Sequence, residues 1–507
     1  MIKWLTRGAA LALFVWFLAT SFRRGWNESA TDFPNYYTAA VAVREHQPLR
    51  NFYDWAWFNG EIERVGIERQ PGSYLPQTPL TMLPLIPLAG LPPQNAKRAW
   101  LTINLALLIA VVYMLARISR RPFEQIALLA LLGHSSLASN FIYGQYYVFL
   151  LFLIVLSYRS GFLSGVTFAL KLYTGPLLLY FVARRDWRRA AGMLIAIAGA
   201  GVLAVTMFGW SDIAYYLTHI LPRTLEGAST DPYNPGVPTM STMLRHMFMR
   251  EPILNQSPLL DAPGLFFFLR TVVPLSLIAM ATLGVAFAKS GDGATDFACF
   301  VILSLLLSTS AGSYTFLLLL APVALLLKDA PPWKAAYFVA SYILLNANLK
   351  PIWLFPKVWL LLLFFIVVGW DRIRAIPKTV VITTAASVLI IAGIDAQRHL
   401  SAYSHEPGRH YQQILSEPGS YFWGRSATQP ADVASPDGRW KVFTRETTTS
   451  QNLWIKNLTT NATQELAGGD CNSSSPAWEL DSSAIVFASD CGRAFGLTAL
   501  YRAPIPR

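Results

Sequence analysis

Leu101-Thr102-Ile103-Asn104-Leu105-Ala106-Leu107-Leu108-Ile109-Ala110-Val111-Val112-Tyr113-Met114-Leu115-Ala116 is an apolar run that ends at once in Arg117, Arg120 and Arg121. With the residues from 95 before it, the run has the roughly 20 mostly apolar positions that a membrane-crossing helix needs. Composition says that it is not alone. The chain has 507 residues, 53% hydrophobic and 14% charged, with 16 Trp and a net charge of +12, and its mean hydropathy is +0.38. That is more apolar surface than a soluble protein of this size uses, so the class is a polytopic membrane protein, mainly α. The positive balance does not point to nucleic acid. The basic residues lie in short clusters between apolar runs, as in Arg184-Arg185-Asp186-Trp187-Arg188-Arg189, which is the pattern of cytoplasmic loops.

Outward from this run, spans are expected near residues 4–22, 95–116, 123–140, 145–158, 190–208, 265–288, 296–312, 314–327, 335–350, 357–370 and 379–394, about eleven crossings. Lys3 and Arg7 precede the first and Arg23-Arg24 follow it, and no small-residue cleavage site stands before them, so this segment is expected to stay as an anchor. The basic loops at 117–121, 184–189 and 371–378 agree on one side, taken as cytoplasmic. The N-terminus then lies inside, with Asp32 and the C-terminal tail outside.

Two regions are irregular. From Gln70-Pro71-Gly72-Ser73-Tyr74-Leu75-Pro76 to Pro93, the prolines at 79, 84, 87 and 92 rule out one continuous helix, and short half-helices at the outer interface are expected. In residues 161–182, Lys171 and Gly175-Pro176 interrupt an apolar segment flanked by Arg159 and Arg184. That segment is either a re-entrant hairpin or a single crossing. Long outer loops follow the first span (23–94) and the fifth (209–264), and loops of that length are where membrane enzymes build sites.

The expected domains are a helical membrane domain at 1–395, a linker at 396–432 and a β module at 433–507. In the module, Asp437-Gly438-Arg439-Trp440-Lys441-Val442-Phe443 aligns with Asp481-Ser482-Ser483-Ala484-Ile485-Val486-Phe487, a turn and a short apolar strand in each copy. With Ser435-Pro436 before the first copy, Asn452-Leu453-Trp454-Ile455 and Pro476-Ala477-Trp478, it resembles TolB-type propeller blades, too few to close a ring. Cys471 and Cys491 flank one strand and are expected to form a disulfide in an oxidising compartment, while Cys299 lies in a span.

The chain carries no P-loop, no GxGxxG, no HExxH, no CxxC pair and no GxSxG, so nothing invites a nucleotide, a bound zinc or a serine nucleophile. No metal and no cofactor is expected, although Asp54 and Glu61 are loop acids able to hold a metal weakly. What remains is Asp32, in Asp32-Phe33-Pro34-Asn35-Tyr36-Tyr37 just beyond the first span, and a few polar groups beside apolar segments.

Asp32-Phe33, Tyr36-Tyr37-Thr38-Ala39-Ala40, Tyr53 and Tyr74-Leu75-Pro76 resemble the opening of the GT-C superfamily of glycosyltransferases. Tyr143-Gly144-Gln145, the run Gly161-Phe162-Leu163-Ser164-Gly165 to Ala169-Leu170-Lys171 with Pro176, and the closing arginine cluster extend the resemblance over roughly residues 1–330. Within the superfamily the match is to the polyprenol-phosphate-mannose-dependent mannosyltransferases of bacteria. Ser308-Thr309-Ser310-Ala311-Gly312-Ser313-Tyr314 stands where members often carry a Ser-Pro, Trp and His cluster, which puts the sugar or acceptor in doubt more than the fold.

The resemblance implies transfer of a sugar, mannose first, from a polyprenyl-phosphate carrier to a hydroxyl of a glycan, glycolipid or protein acceptor at the outer face of the bacterial inner membrane. A lipid phosphate leaves as an anion and needs no general acid, so one base suffices, acting by in-line displacement with inversion. Asp32 is the expected base. Lys171, a charge within an apolar segment, and Arg270 and Arg245 are the candidates for the donor phosphate; a snorkelling lysine and contacts of the arginines with lipid or loop are the alternatives. Gln145, Tyr36, Tyr37 and His246 are the candidates for sugar and acceptor, against a helix cap for Gln145, the aromatic belt for the tyrosines and a plain loop role for His246. The rival class is a transporter or lipid-carrier flippase, against which stands the lack of internal symmetry among the spans.

Overall fold

The structure is a computed structural model describing residues 2–28, 32–68, 70–229, 231–288, 293–414 and 431–505. It is mostly helical, 62%, because a backbone placed in lipid must satisfy its own hydrogen bonds. The helices used below are α1 (Ile2–Phe17), α2 (Phe33–Arg44), α3 (Trp55–Arg64), α4 (Pro93–Ser119), α5 (Phe123–Leu132), α6 (His134–Ile142), α7 (Tyr147–Ser157), α8 (Gly161–Lys171) and α9 (Pro176–Ala183). They continue with α10 (Trp187–Phe208), α11 (Met240–Phe248), α12 (Pro263–Phe287), α13 (Gly293–Leu306), α14 (Leu320–Leu326), α15 (Pro332–Asn346), α16 (Pro356–Ile373) and α17 (Lys378–Ser404).

Each of the eleven expected spans holds helix, but among the described residues only five helices are long and apolar enough to cross a bilayer: Trp4–Asn27, which contains most of α1, and α4, α10, α12 and α17. A sixth is the pair α5 and α6, bent by 75° at Gly133, where His134 packs its ring 4.1 Å from that of Trp16. The rest are shorter. α7 has 11 residues, a length of about 16 Å, roughly half the hydrocarbon thickness.

Charge separates the two ends of the bundle. Asp296 at the start of α13 takes Arg184 at 2.5 Å and Arg372 at 2.7 Å, Arg121 donates to the Leu327 carbonyl at the end of α14, and Arg7 meets Glu124 at 3.1 Å. The three basic loops therefore share one end. At the other end, the Phe33 amide donates to the Tyr143 carbonyl, just before α7, whose far terminus brings Tyr158 against Phe297. Asp32 thus stands at the end opposite the arginines.

Residues 161–183 are a re-entrant hairpin. Arg159, Arg184 and Arg189 surround one depression, so the segment leaves and returns at the basic end, α8 running inward and α9 back. Gly161 and Gly165 explain the packing: a Cβ at these positions would lie 2.0 Å from the Arg189 carbonyl oxygen and 2.4 Å from that of Met193. Two glycines at this spacing let α8 lie directly on α10. Lys171 is at the tip.

The proline-rich segment 70–93 is not a set of half-helices. It is a chain of turns with one 3₁₀ helix at Leu83–Leu88, because its prolines recur too closely for an α-helical ladder. It is nonetheless fixed in place. Asn59 brackets Gly72 with two hydrogen bonds of 2.9 Å, and the Asn35 carboxamide oxygen accepts from Ser73 N at 3.0 Å. The hydroxyls of Thr78 and Thr81 then donate to the Ala169 and Leu170 carbonyls at 2.6 and 2.7 Å, supplying partners that the end of a helix otherwise lacks.

The expected linker begins inside a helix, since α17 continues to Ser404; residues 415–430 lie outside the described residues. The β module has two four-stranded antiparallel sheets. One contains β2 (Asp432–Ala434), β3 (Trp440–Glu446), β4 (Gln451–Asn457) and β5 (Thr463–Ala467) in sequence order. The other joins β6 (Ser473–Trp478), β7 (Ala484–Ser489) and β8 (Ala499–Pro504) to β1 (Gln412–Gln413), so its fourth strand comes from the module's opposite end. The two aligned repeats are β3 and β7 with their turns. Cys471 and Cys491 form a disulfide. The module sits on the Asp32 end: Trp55 Nε1 donates to the Phe495 carbonyl at 2.7 Å and the Phe495 amide to the Ala228 carbonyl at 2.7 Å.

Candidate active site

Asp32 is the residue before the first turn of α2, and Pro34 starts that helix with its φ already suited to it. Its carboxylate caps no amide of its own helix, so it is available to face elsewhere. The turn Tyr143-Gly144-Gln145 holds it there. Gly144 has φ +64°, and a side chain at that point would press on Phe33 Cβ at 2.8 Å, so the glycine allows α2 and α7 to start side by side. Burial pushes the Asp32 carboxyl above its ordinary value, while a hydrogen bond from Gln145 and the charge of Lys171 pull it back.

Lys171 reaches the same place from the hairpin tip. Its ammonium donates to Tyr147 Oη at 3.1 Å and Tyr36 Oη at 3.4 Å, lies 4.3 Å from the centroid of the Tyr147 ring, and has no carboxylate within ion-pairing distance among the described residues. Tyr36 in turn donates to Gln145 Oε1 at 2.9 Å. Thus Asp32, Tyr36, Gln145 and Lys171, drawn from three segments far apart in sequence, line one cavity of about 940 Å³.

Most of the remaining wall is apolar. Ile197, Ala200, Gly201 and Ala204 of α10 line it, at the i, i+3, i+4, i+7 spacing of one helix face, with Phe168, Leu172 and Pro176 of the hairpin beside them. One charged pocket is continuous with a long apolar surface. That combination accommodates an amphiphile with a charged head and a hydrocarbon tail.

Sequence reasoning did not single out Tyr147, Tyr173, Ser308 or Tyr314 as functional, and all four line the cavity. Tyr147 and Tyr173 pair through their hydroxyls at 3.3 Å, Ser308 donates to Tyr173 at 3.2 Å, and Tyr314 packs on Tyr147 with ring centroids 5.1 Å apart. The available signal was position: Tyr147 and Tyr173 each follow a candidate residue by two.

Other expected site residues are elsewhere. Tyr37 donates to the Leu91 carbonyl at 2.8 Å, stacks on Phe33 and does not line the cavity. His246 is held to the Tyr233 carbonyl at 2.6 Å and packs near Phe355. Arg245 and Arg270 line a second cavity, against the β module, that shares no lining residue with the first, so the structure does not bring them to the group that Lys171 faces. Asp54 caps α3 through the Trp57 amide and Glu61 pairs with Arg64. Among the described residues there is no group of three or more His, Cys, Asp or Glu side chains arranged to hold a metal.

Residues 77–309 match the sequence model described as Glycosyltransferase family 87, a stretch that includes Gln145, Tyr147, Lys171, Tyr173 and Ser308 but neither Asp32 nor the β module. Over 95 residues the chain is 36% identical to a Mycobacterium tuberculosis protein named polyprenol-phosphate-mannose-dependent alpha-(1-2)-phosphatidylinositol mannoside mannosyltransferase, covering 17% of this chain and 22% of that one. The match thus spans about a fifth of the relative's length. No solved structure matches the chain.

Proposed function

We propose that this membrane protein is a glycosyltransferase that moves mannose from a polyprenyl-phosphate carrier to an acceptor hydroxyl, with inversion. The observation that carries the reading is the placing of Asp32 and of the Lys171 ammonium, held by two tyrosine hydroxyls, in one cavity whose other wall is largely apolar. The polyprenyl chain lies along the α10 face, and its phosphate faces Lys171. Asp32 accepts the proton of the acceptor hydroxyl as its oxygen bonds to the anomeric carbon. The bond from that carbon to the phosphate oxygen breaks, its electron pair leaves with the polyprenyl phosphate, and the Lys171 ammonium stabilises the charge that develops there.

The tyrosines serve the lysine and the sugar. Tyr36 and Tyr147 accept from the ammonium through lone pairs, which fixes its position without neutralising it. The match to Glycosyltransferase family 87 supports glycosyl transfer, and the name of the partial relative supports mannose and a glycolipid acceptor. The Asp32 end faces away from the cytoplasm in this reading, by the positive-inside rule.

The test is incubation of the purified full-length protein with a panel of radiolabelled polyprenyl-phosphate sugars and a glycolipid extract. Mannose label is expected to pass to the acceptor with wild type and not with Asp32→Asn. Transfer by the folded variant at the wild-type rate, or no transfer from any donor by wild type, would remove the reading.

A further inference from the structure

We propose that the second cavity, at the seam between the bundle and the β module, is a binding site for a phosphate-bearing anion. It has a volume of about 340 Å³ and is lined by six arginines, Arg223, Arg245, Arg250, Arg270, Arg409 and Arg493, against four carboxylates. These residues arrive from separate segments: the short helix Leu221–Leu225 in the second outer loop, α11 and the residue pair after it, α12, the stretch after α17, and the loop that follows the disulfide-bonded Cys491.

Three of the arginines are over nine-tenths buried, with Arg223 6%, Arg245 8% and Arg493 5% exposed. In each the Nε–H has no hydrogen-bond partner, and among the described residues these are the three arginine atoms so placed. A buried donor left unmade is costly, and natural proteins keep few of them. Their other nitrogens are partly used: Arg223 meets Asp490 at 3.3 Å and Arg493 meets Glu251 at 3.2 Å. Among the described residues Arg245 forms no ion pair; its guanidinium lies 4.8 Å from the Phe266 ring centroid and 5.7 Å from that of Tyr233. Arg270 likewise rests on Phe267 at 5.3 Å, with no ion-paired carboxylate among the described residues. Facing them, the Glu406 carboxyl is pushed up to about 7 by burial, with Arg245, Arg409 and Arg223 pulling it back and Asp470 pushing it further, so it repels an anion less than an ordinary carboxylate does.

Planar guanidinium forks converging from several directions suit the oxygens of a phosphoryl group better than the two of a carboxylate. Arg270 is seven residues into α12, about 10 Å from its start, and Leu259 and Leu260 are exposed just before that helix, which puts the cavity at the level of lipid head groups. The phosphate thus has two sources, a lipid phosphodiester from the bilayer or a soluble phosphorylated molecule. The site stands apart from glycosyl transfer, because no residue of it lines the Asp32 cavity.

The experiment is thermal unfolding of the full-length protein in an uncharged detergent, titrated with inorganic phosphate at constant ionic strength in one arm and with phosphatidylglycerol against monoolein in the other. A saturable rise in the melting midpoint is expected in at least one arm, and which arm responds identifies the source. Arg245→Gln is expected to weaken the apparent affinity at least tenfold, whereas Asp32→Asn and the exposed Arg439→Gln keep the wild-type titration. Should Arg245→Gln not fold, Arg270→Gln, whose side chain is only partly buried, carries the same comparison. No rise in either arm, or equal titrations by wild type and the folded arginine variant, overturns the proposal.

Discussion

The two cavities at the Asp32 end differ in what their walls ask of a ligand. The first, about 940 Å³, sets two carboxylates, Asp32 and Asp231, and one ammonium, Lys171, against a largely apolar wall. The second, about 340 Å³, gathers six arginines where the β module meets the bundle. Only one turn separates them: Leu221, Thr224 and Leu225 face the first, while Arg223 and Glu226 face the second. A large, mostly apolar cavity with few charged groups suits chemistry on an amphiphile. A small cavity with excess fixed positive charge suits holding an anion. Two neighbouring cavities sharing one wall can therefore carry separate tasks.

The comparison breaks most sharply at Asp32. Replacing it with Asn is expected to lower transfer about 10³-fold, within the usual range for a general base, with an unchanged melting midpoint, and radiolabel transfer beside thermal unfolding checks both. Equal loss of phosphate binding would mean that the cavities do not act separately. Lys171→Met comes next, with a fall in kcat of about 10²-fold. It also shifts the pH profile. Asp32 must be ionised to act and its pKa is already raised by burial, so the rate climbs with pH through a value above the ordinary carboxylate range. Removing the cation that pulls this pKa down moves that limb to still higher pH.

A smaller effect tests the scaffold of the first cavity. Gly165→Leu drives a side chain into the α10 backbone and is expected to destabilise by about 1–3 kcal/mol, seen as a lower melting midpoint, with Lys171 displaced and transfer reduced. The same substitution at Gly199, where a Cβ meets nothing within 4 Å, leaves the midpoint unchanged. The smallest effect belongs to the second cavity. Because the folded pKa of Glu406 is raised from 4.5 to about 7, its protonated form favours the fold. Its contribution is full below about pH 4.5 and is lost as pH rises through 7. Glu406→Gln is expected to flatten that part of the melting curve against pH.

The Asp32 cavity was partly legible because two of its members break local rules. A lysine inside an apolar segment and an acid immediately outside a span stand out without any knowledge of the fold. The tyrosines around Lys171 did not stand out, since aromatic residues are common at membrane interfaces and in cores alike. Arg245 and Arg270 were recognised as candidates for a phosphate, but the structure places them in the second cavity and not beside Lys171. Nothing local to α11 or α12 tells which pocket their side chains enter.

By itself the sequence determined the membrane class, the one-sided arrangement of the basic loops, the β module and, in Asp32 and Lys171, two candidates for chemistry. These follow from requirements that act within a single segment: a length of apolar helix, a charge kept out of lipid, an alternation in a strand. The tertiary structure decided that residues 161–183 turn back, that Lys171 and Asp32 line one cavity, and that the arginines face the β module. Each of those depends on which helix faces meet across long stretches of chain, and side-chain packing settles that only once the whole bundle has closed.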